Sequence, residues 1–202
     1  MGRVLTAANE AMANSGEVDL SCAPDQAPAL VKERGSLTAQ LKRLAAPRRL
    51  AVKVLRQGEF PICAQERSDL GLAETGPAHV REVILGPAAE PWVFARTVLP
   101  AAALKRELAA VGGLGARPLG EWLFSHDNAR RGAVTVVRVT RPGAEASLAT
   151  LASIAPGAGP LWGRRSLFYV GAARLLVCEY FLPGLWHCRA AGGRDERDAD
   201  AG

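Results

Sequence analysis

Two connections in this sequence are too short to carry a chain between parallel strands, and they narrow the folds open to it. Strand-like runs at 79–86 and 92–99 are separated by little more than Pro87-Ala88-Ala89-Glu90-Pro91, and those at 166–171 and 175–182 are joined by Gly171-Ala172-Ala173. A parallel pair needs a crossover of about a dozen residues, so both pairs read as antiparallel hairpins. Further apolar runs at 50–56 and 134–140, bounded by Gly, Pro or charged turns, bring the total to about six strands.

Helical signals fall between and before these runs. Residues 27–34 read as a short helix stopped by Gly35, and the Ser36 side chain suits the cap of a second helix that presents Leu37, Leu41 and Leu44 on one side. Residues 100–111 open with proline and end at Gly112-Gly113, and residues 118–125 open with proline again. The class is α+β, a single domain with an antiparallel sheet of about six strands and helices packed against it. A chain of 202 residues with 49% hydrophobic content can fill one core. The domain is expected over 25–188, between a small, polar segment at 1–24 and a charged tail at 189–202, both expected to be disordered. The stretch 141–160, rich in Pro, Gly, Ala and Ser, reads as a surface excursion that serves as a lid or an insertion.

Several function classes are disfavoured. No run approaches the roughly 20 apolar residues of a membrane helix, and the N-terminus lacks a signal-peptide apolar segment. Stable membrane insertion is not expected, and the location expected is cytoplasmic. Cys22, Cys63, Cys178 and Cys188 form neither a disulfide framework nor a CxxC pair, so they read as reduced structural thiols. His187 beside Cys188 has no further ligands at a recognisable spacing, so no metal is expected. The net charge of +5 is spread along the chain without interleaved aromatics, which suits a small anionic ligand as well as a nucleic acid.

The informative residues are charges set in apolar strand faces. Alternation groups Glu179 with Leu175, Val177 and Phe181, so this carboxylate must be paired, protonated or open to a polar cavity. A structural ion pair with an arginine accounts for it equally well from spacing alone. Arg81 shares a face with Val83 and Leu85, and Glu82 shares the other with Val80 and Ile84, so one charge points into the core whichever face is buried. Arg81 is the better anion ligand because its planar fork matches a carboxylate. Arg96, among Trp92, Phe94 and Val98, is a partner for Glu82 or Glu179. The helix start at Pro118-Leu119-Gly120 leaves the Leu119 amide without an intrahelical partner and available to an anion.

Gly35-Ser36-Leu37-Thr38, Arg81-Glu82-Val83-Ile84-Leu85, Arg96-Thr97-Val98-Leu99-Pro100, Pro118-Leu119-Gly120, Trp162-Gly163-Arg164-Arg165-Ser166 and Glu179-Tyr180-Phe181-Leu182-Pro183 occur in this order. Together they resemble the motifs of the bacterial chorismate pyruvate-lyase family. The segment before Gly35 lacks the tryptophan often found in that family, and 141–160 is longer than its usual connection.

The resemblance implies an enclosed aromatic-acid site that uses no cofactor and converts chorismate to 4-hydroxybenzoate and pyruvate, as a first step toward ubiquinone. By family position Arg81 and the Leu119 amide hold the ring carboxylate, Glu179 meets the hydroxyl at the far side, and Leu37 touches the ligand. Arg81 and Glu179 are the expected catalytic pair. One of Arg164 and Arg165, which alternate in direction, is expected to reach the side-chain carboxylate of chorismate. The partners implied are chorismate and its product, with no nucleic acid and a monomeric chain. The competing expectation is a non-catalytic ligand-binding domain of the related effector-sensing fold. About 24 residues before the first helix are too few for a helix-turn-helix unit, which weighs against a DNA-binding regulator.

Overall fold

The computed structural model of the chain describes residues 27–32, 35–72, 78–140 and 149–192. Its strands are β1 (Ala51–Glu59), β2 (Ala78–Gly86), β3 (Val93–Pro100), β4 (Ala129–Val139), β5 (Leu161–Val170) and β6 (Ala173–Phe181). They form one sheet in the order β1-β2-β3-β6-β5-β4, with every neighbouring pair antiparallel. Both expected hairpins are present, with Leu85 opposite Val93 and Val170 opposite Ala173. The expected α+β class with an antiparallel sheet and packed helices is the observed one.

Three strands extend furthest beyond their apolar runs. β4 starts at Ala129 rather than 134 and β5 at Leu161 rather than 166, because Arg130, Arg131, Gly132, Gly163, Arg164 and Arg165 break the apolar pattern without breaking the ladder. Arg164 and Arg165 therefore lie in mid-strand and not at a strand start. β1 continues past Arg56 to Glu59 through a bulge between Val54 and Arg56.

One face of the sheet is covered by α1 (Ala27–Lys32), α2 (Leu37–Ala45), α5 (Leu119–Ser125) and α7 (Pro183–Gly192). Ser36 caps α2 as expected, its hydroxyl accepting from the Ala39 amide at 3.2 Å, and Leu37 and Leu41 are buried. The single helix expected over 100–111 is two pieces, a 3-10 helix at Ala101–Lys105 and α4 at Ala109–Gly112. The break at Arg106 lets Ala103, Leu108 and Val111 all enter the core.

The opposite face is covered by α3 (Ala64–Leu70) and α6 (Ala149–Ile154), which plug Leu70 and Leu151 into the core with Val80, Phe94, Val98 and Tyr180. The part of 141–160 that is described is thus packed cover, with Leu151 fully buried, and not a mere surface excursion. Residues 141–148, like the expected disordered segment 1–24 and residues 193–202, lie outside the described residues. With both faces covered, Arg81 and Glu82 are buried together, on opposite sides, where alternation alone required only one of them to be.

No described helix is long and apolar enough to cross a membrane. Cys63 and Cys178 are free thiols, and burial pushes Cys178 up to about 12, which keeps it protonated and inert.

Candidate active site

Strand alternation gathers one face of the sheet into the wall of a cavity. β1 supplies Val52, β2 supplies Arg81, Val83 and Leu85, and β3 supplies Ala95 and Thr97. Val177 and Glu179 come from β6, Arg164 and Phe168 from β5, and Arg131 from β4. Leu37 and Thr38 of α2, and Pro118, Leu119, Gly120, Leu123 and Phe124 at α5, close it from above. The space they surround, counted together with its opening to solvent, is about 560 Å³. The two helices meet tightly: a side chain at Gly120 would place its Cβ 2.7 Å from the Thr38 hydroxyl.

All four residues expected to form the site, Leu37, Arg81, Leu119 and Glu179, line this one cavity. Leu119 opens α5, a helix of seven residues, so its amide counts as a hydrogen-bond donor rather than as the end of a large dipole.

Arg81 is 2% exposed and its guanidinium is held by neutral acceptors only among the described residues. It donates to Gln57 Oε1 at 2.9 Å, to the Gly115 carbonyl at 2.8 Å and to the Arg117 carbonyl at 3.3 Å. Burial lowers its pKa from the ordinary arginine value, the sign expected of a cation that has lost water. A buried cation on a cavity wall, with no carboxylate bonded to it among the described residues, is chemically suited to receive an anion.

Glu179 does have an arginine partner, and it is Arg164, which donates from Nε to Oε2 at 2.5 Å. Arg164 is 1% exposed and also donates to the Leu30 carbonyl at 3.2 Å. Arg131 approaches the same Oε2 to 3.8 Å, lies over the Phe168 ring, and donates to Ser166 Oγ at 2.7 Å and to the Gly35 carbonyl at 3.3 Å. Structural pairing and cavity exposure, alternatives on spacing alone, are both true of Glu179. Three guanidinium groups and one carboxylate line the cavity.

Arg96 takes no part in it. It points to the opposite face, where it donates to Glu82 at 2.6 Å and to Glu66 at 2.8 Å, while Arg56 grips Glu82 at 2.6 and 2.8 Å. Of the two partners expected for Arg96, Glu82 is the observed one and Glu179 is not. Burial lowers the Arg96 pKa, but hydrogen bonds and charge from Glu66 and Glu82 outweigh it and raise the group above its usual value. Burial likewise pushes Glu82 up, and its bonds from Arg56, Thr150 and Arg96 bring it below the usual carboxylate range. Arg165 also turns to this far face and pairs with Asp69, which leaves Arg164 as the cavity member of the arginine pair.

Sequence reasoning missed Arg131, because the apolar alternation of β4 becomes clear only from Val134. The ladder shifts register between Arg131 and Val134, so the run could not be extended backward by periodicity. Thr38 and Thr97 were missed as polar wall residues, and Gln57 as the partner of Arg81; nothing distinguishes them in sequence from ordinary strand and helix polar residues.

Comparison with known proteins gives one consistent result. The sequence model of the family described as "Chorismate lyase" matches residues 11–190. A probable chorismate pyruvate-lyase of Methylococcus capsulatus is 41% identical over 159 residues, covering 77% of this chain and 93% of the relative. One of Chromohalobacter salexigens is 39% identical over 155 residues, covering 77% of this chain and 79% of the relative. Among solved structures, the effector domain of PhnF from Mycobacterium smegmatis is similar with a TM-score of 0.51 and 17% identity, over 74% of this chain and 89% of that one. PhnF from the same organism gives 0.53 and 16%, over 75% of this chain and 65% of that one. These structural likenesses speak to the fold alone.

Proposed function

The chain belongs to the chorismate lyase family, and from that premise we propose that it removes pyruvate from chorismate to leave 4-hydroxybenzoate. The observation that carries the reading is Arg81, a buried guanidinium without a carboxylate among the described residues, on the wall of a largely apolar, partly open cavity. Chorismate brings two carboxylates, one on its ring and one on the enolpyruvyl group, and the cavity offers an excess of two positive charges over negative ones in its lining.

In this reading Arg81 and the Leu119 amide take the ring carboxylate, and Leu37 lies against the ring. Glu179 accepts the 4-hydroxyl through Oε1, since Oε2 is taken up by Arg164. Arg131, beside Glu179 on the same wall, meets the enolpyruvyl carboxylate together with Arg164.

The chemistry breaks the bond from ring carbon 3 to the enolpyruvyl oxygen and removes hydrogen from carbon 4. We favour transfer of that hydrogen within the substrate to the enolpyruvyl methylene carbon. The methylene becomes the methyl group of pyruvate, the oxygen becomes its keto group, and the new double bond between carbons 3 and 4 makes the ring aromatic. Atoms and electrons balance without an electron acceptor, a group carrier or an external base. The task left to the protein is to hold one conformer and stabilise the departing oxygen, and positioning supplies up to about 7 to 11 kcal/mol in favourable cases. Glu179 then orients the hydroxyl rather than abstracting a proton.

The product keeps both groups that Arg81, Leu119 and Glu179 recognise, so it should inhibit strongly and leave slowly. The family membership supports its use as a first step toward ubiquinone. The test is to incubate the protein with chorismate alone and identify products beside Arg81→Ala. Equimolar 4-hydroxybenzoate and pyruvate, lost in the variant, support the reading; chorismate left intact by folded protein overturns it in favour of a binding module.

A further inference from the structure

The bulge in β1 changes which side chain stands beside Arg81. Val52 and Val54 pair with Leu85 and Val83, which belong to the cavity face of β2. Unbroken alternation would put Arg56 on that same face, cation beside cation. The register shift between Val54 and Arg56 instead sets Arg56 opposite Glu82 and Gln57 opposite Arg81. Arg56 pairs with Glu82 on the far face, and Gln57 Oε1 accepts from Arg81 at 2.9 Å.

Gln57 also donates, from Nε2 to the Gly112 carbonyl at 2.8 Å. Arg81 donates to the Gly115 and Arg117 carbonyls. The two side chains therefore fasten the connection from α4 to α5 at three points, just before the Pro118-Leu119 turn that lines the cavity. A carboxamide is suited to this: it fixes the guanidinium through an acceptor while leaving its charge uncancelled.

We propose that Gln57 is a positioning residue of the carboxylate subsite, setting Arg81 and the segment carrying Leu119 in register with each other. The inference rests on the reading of Arg81 as the carboxylate anchor. It predicts a loss confined to ligands that carry the carboxylate.

The experiment compares Gln57→Met with the parent, using inhibition constants for 4-hydroxybenzoate and for 4-methylphenol, which keeps the ring and hydroxyl and lacks the carboxylate. The expected result is about tenfold weaker 4-hydroxybenzoate binding, as for a lost bond to a charged group, with 4-methylphenol unchanged. In an Arg81→Ala background the Gln57 change should add nothing. Unchanged 4-hydroxybenzoate binding, or equal weakening of both ligands, overturns the proposal. Should Gln57→Met fold poorly, Gln57→Asn, which withdraws the same amide by one methylene, is read by the same criteria. If Arg81→Ala itself leaves 4-hydroxybenzoate binding intact, the anchor reading fails, and that outcome is separate from a failure at Gln57.

Discussion

Arg164 and Glu179 stand opposite each other in register on β5 and β6, joined Nε to Oε2 at 2.5 Å on the cavity wall. Their contact makes stability and chemistry inseparable in single variants. Glu179→Gln removes the carboxylate charge bonded to Arg164, which is 1% exposed, and breaking such a buried pair costs about 3–5 kcal/mol. The double variant Arg164→Met with Glu179→Gln removes both charges and should recover most of that loss in denaturant unfolding. Turnover of chorismate should stay depressed in the double variant. Recovery of both together would mean that the pair has no part in the reaction.

Arg81 and Arg131 should separate in kinetics. The product lacks the enolpyruvyl carboxylate, so Arg131→Met should raise KM for chorismate about tenfold or more while sparing inhibition by 4-hydroxybenzoate. Arg81→Met should weaken both. Equal losses for substrate and product in Arg131→Met would remove it from the side-chain subsite.

The fate of one hydrogen reports the role of Glu179. Chorismate deuterated at carbon 4 should give pyruvate labelled in its methyl group, trapped promptly by reduction to lactate and read by mass spectrometry. Label appearing in solvent instead would make a protein base the acceptor, with Glu179 the residue in reach.

On the far face, Glu82 ties Arg56 and Arg96 together at 0% exposure. Its folded pKa lies below the unfolded one, so its contribution is complete above the usual carboxylate range and is lost as pH falls through the lowered value. Melting temperatures of the parent and Glu82→Gln should differ most near neutrality, by the equivalent of about 3–5 kcal/mol, and converge in acid. A gap independent of pH would contradict this.

Gly163 lies opposite Tyr180 in the ladder between β5 and β6. An added Cβ would lie 2.5 Å from the Glu179 carbonyl and 2.9 Å from the Tyr180 ring. Gly163→Ala should destabilise by about 1–3 kcal/mol and lower turnover by shifting the Glu179 backbone. Crystal or solution comparison of the strand spacing checks the cause.

Much of this was legible in the sequence, and the limits have physical reasons. Short turns between 86 and 92 and at Gly171 give the hairpins, and Ser36 gives the start of α2, because these features act over a few residues. Glu179 and Arg81 stand out because a charge among apolar neighbours needs an explanation. What alternation could not supply was the second covered face, since α3 and α6 are short helices whose burial depends on distant strands. Arg131 and Gln57 lie just beyond irregularities in β4 and β1, where the period of two loses its phase and sequence spacing no longer says which way a side chain points.

Arg81 and Glu82 are neighbours in the chain and face opposite sides of the sheet, Arg81 on the cavity wall with neutral acceptors only among the described residues, Glu82 buried with its charges already matched by Arg56 and Arg96. A slip of β2 by one residue would exchange them, presenting an acid to the cavity and a stray cation to Arg56 and Arg96. Strand pairing in β2 is thereby bound to the polarity of the cavity: a one-residue insertion or deletion ahead of Arg81 that left the sheet intact would invert it.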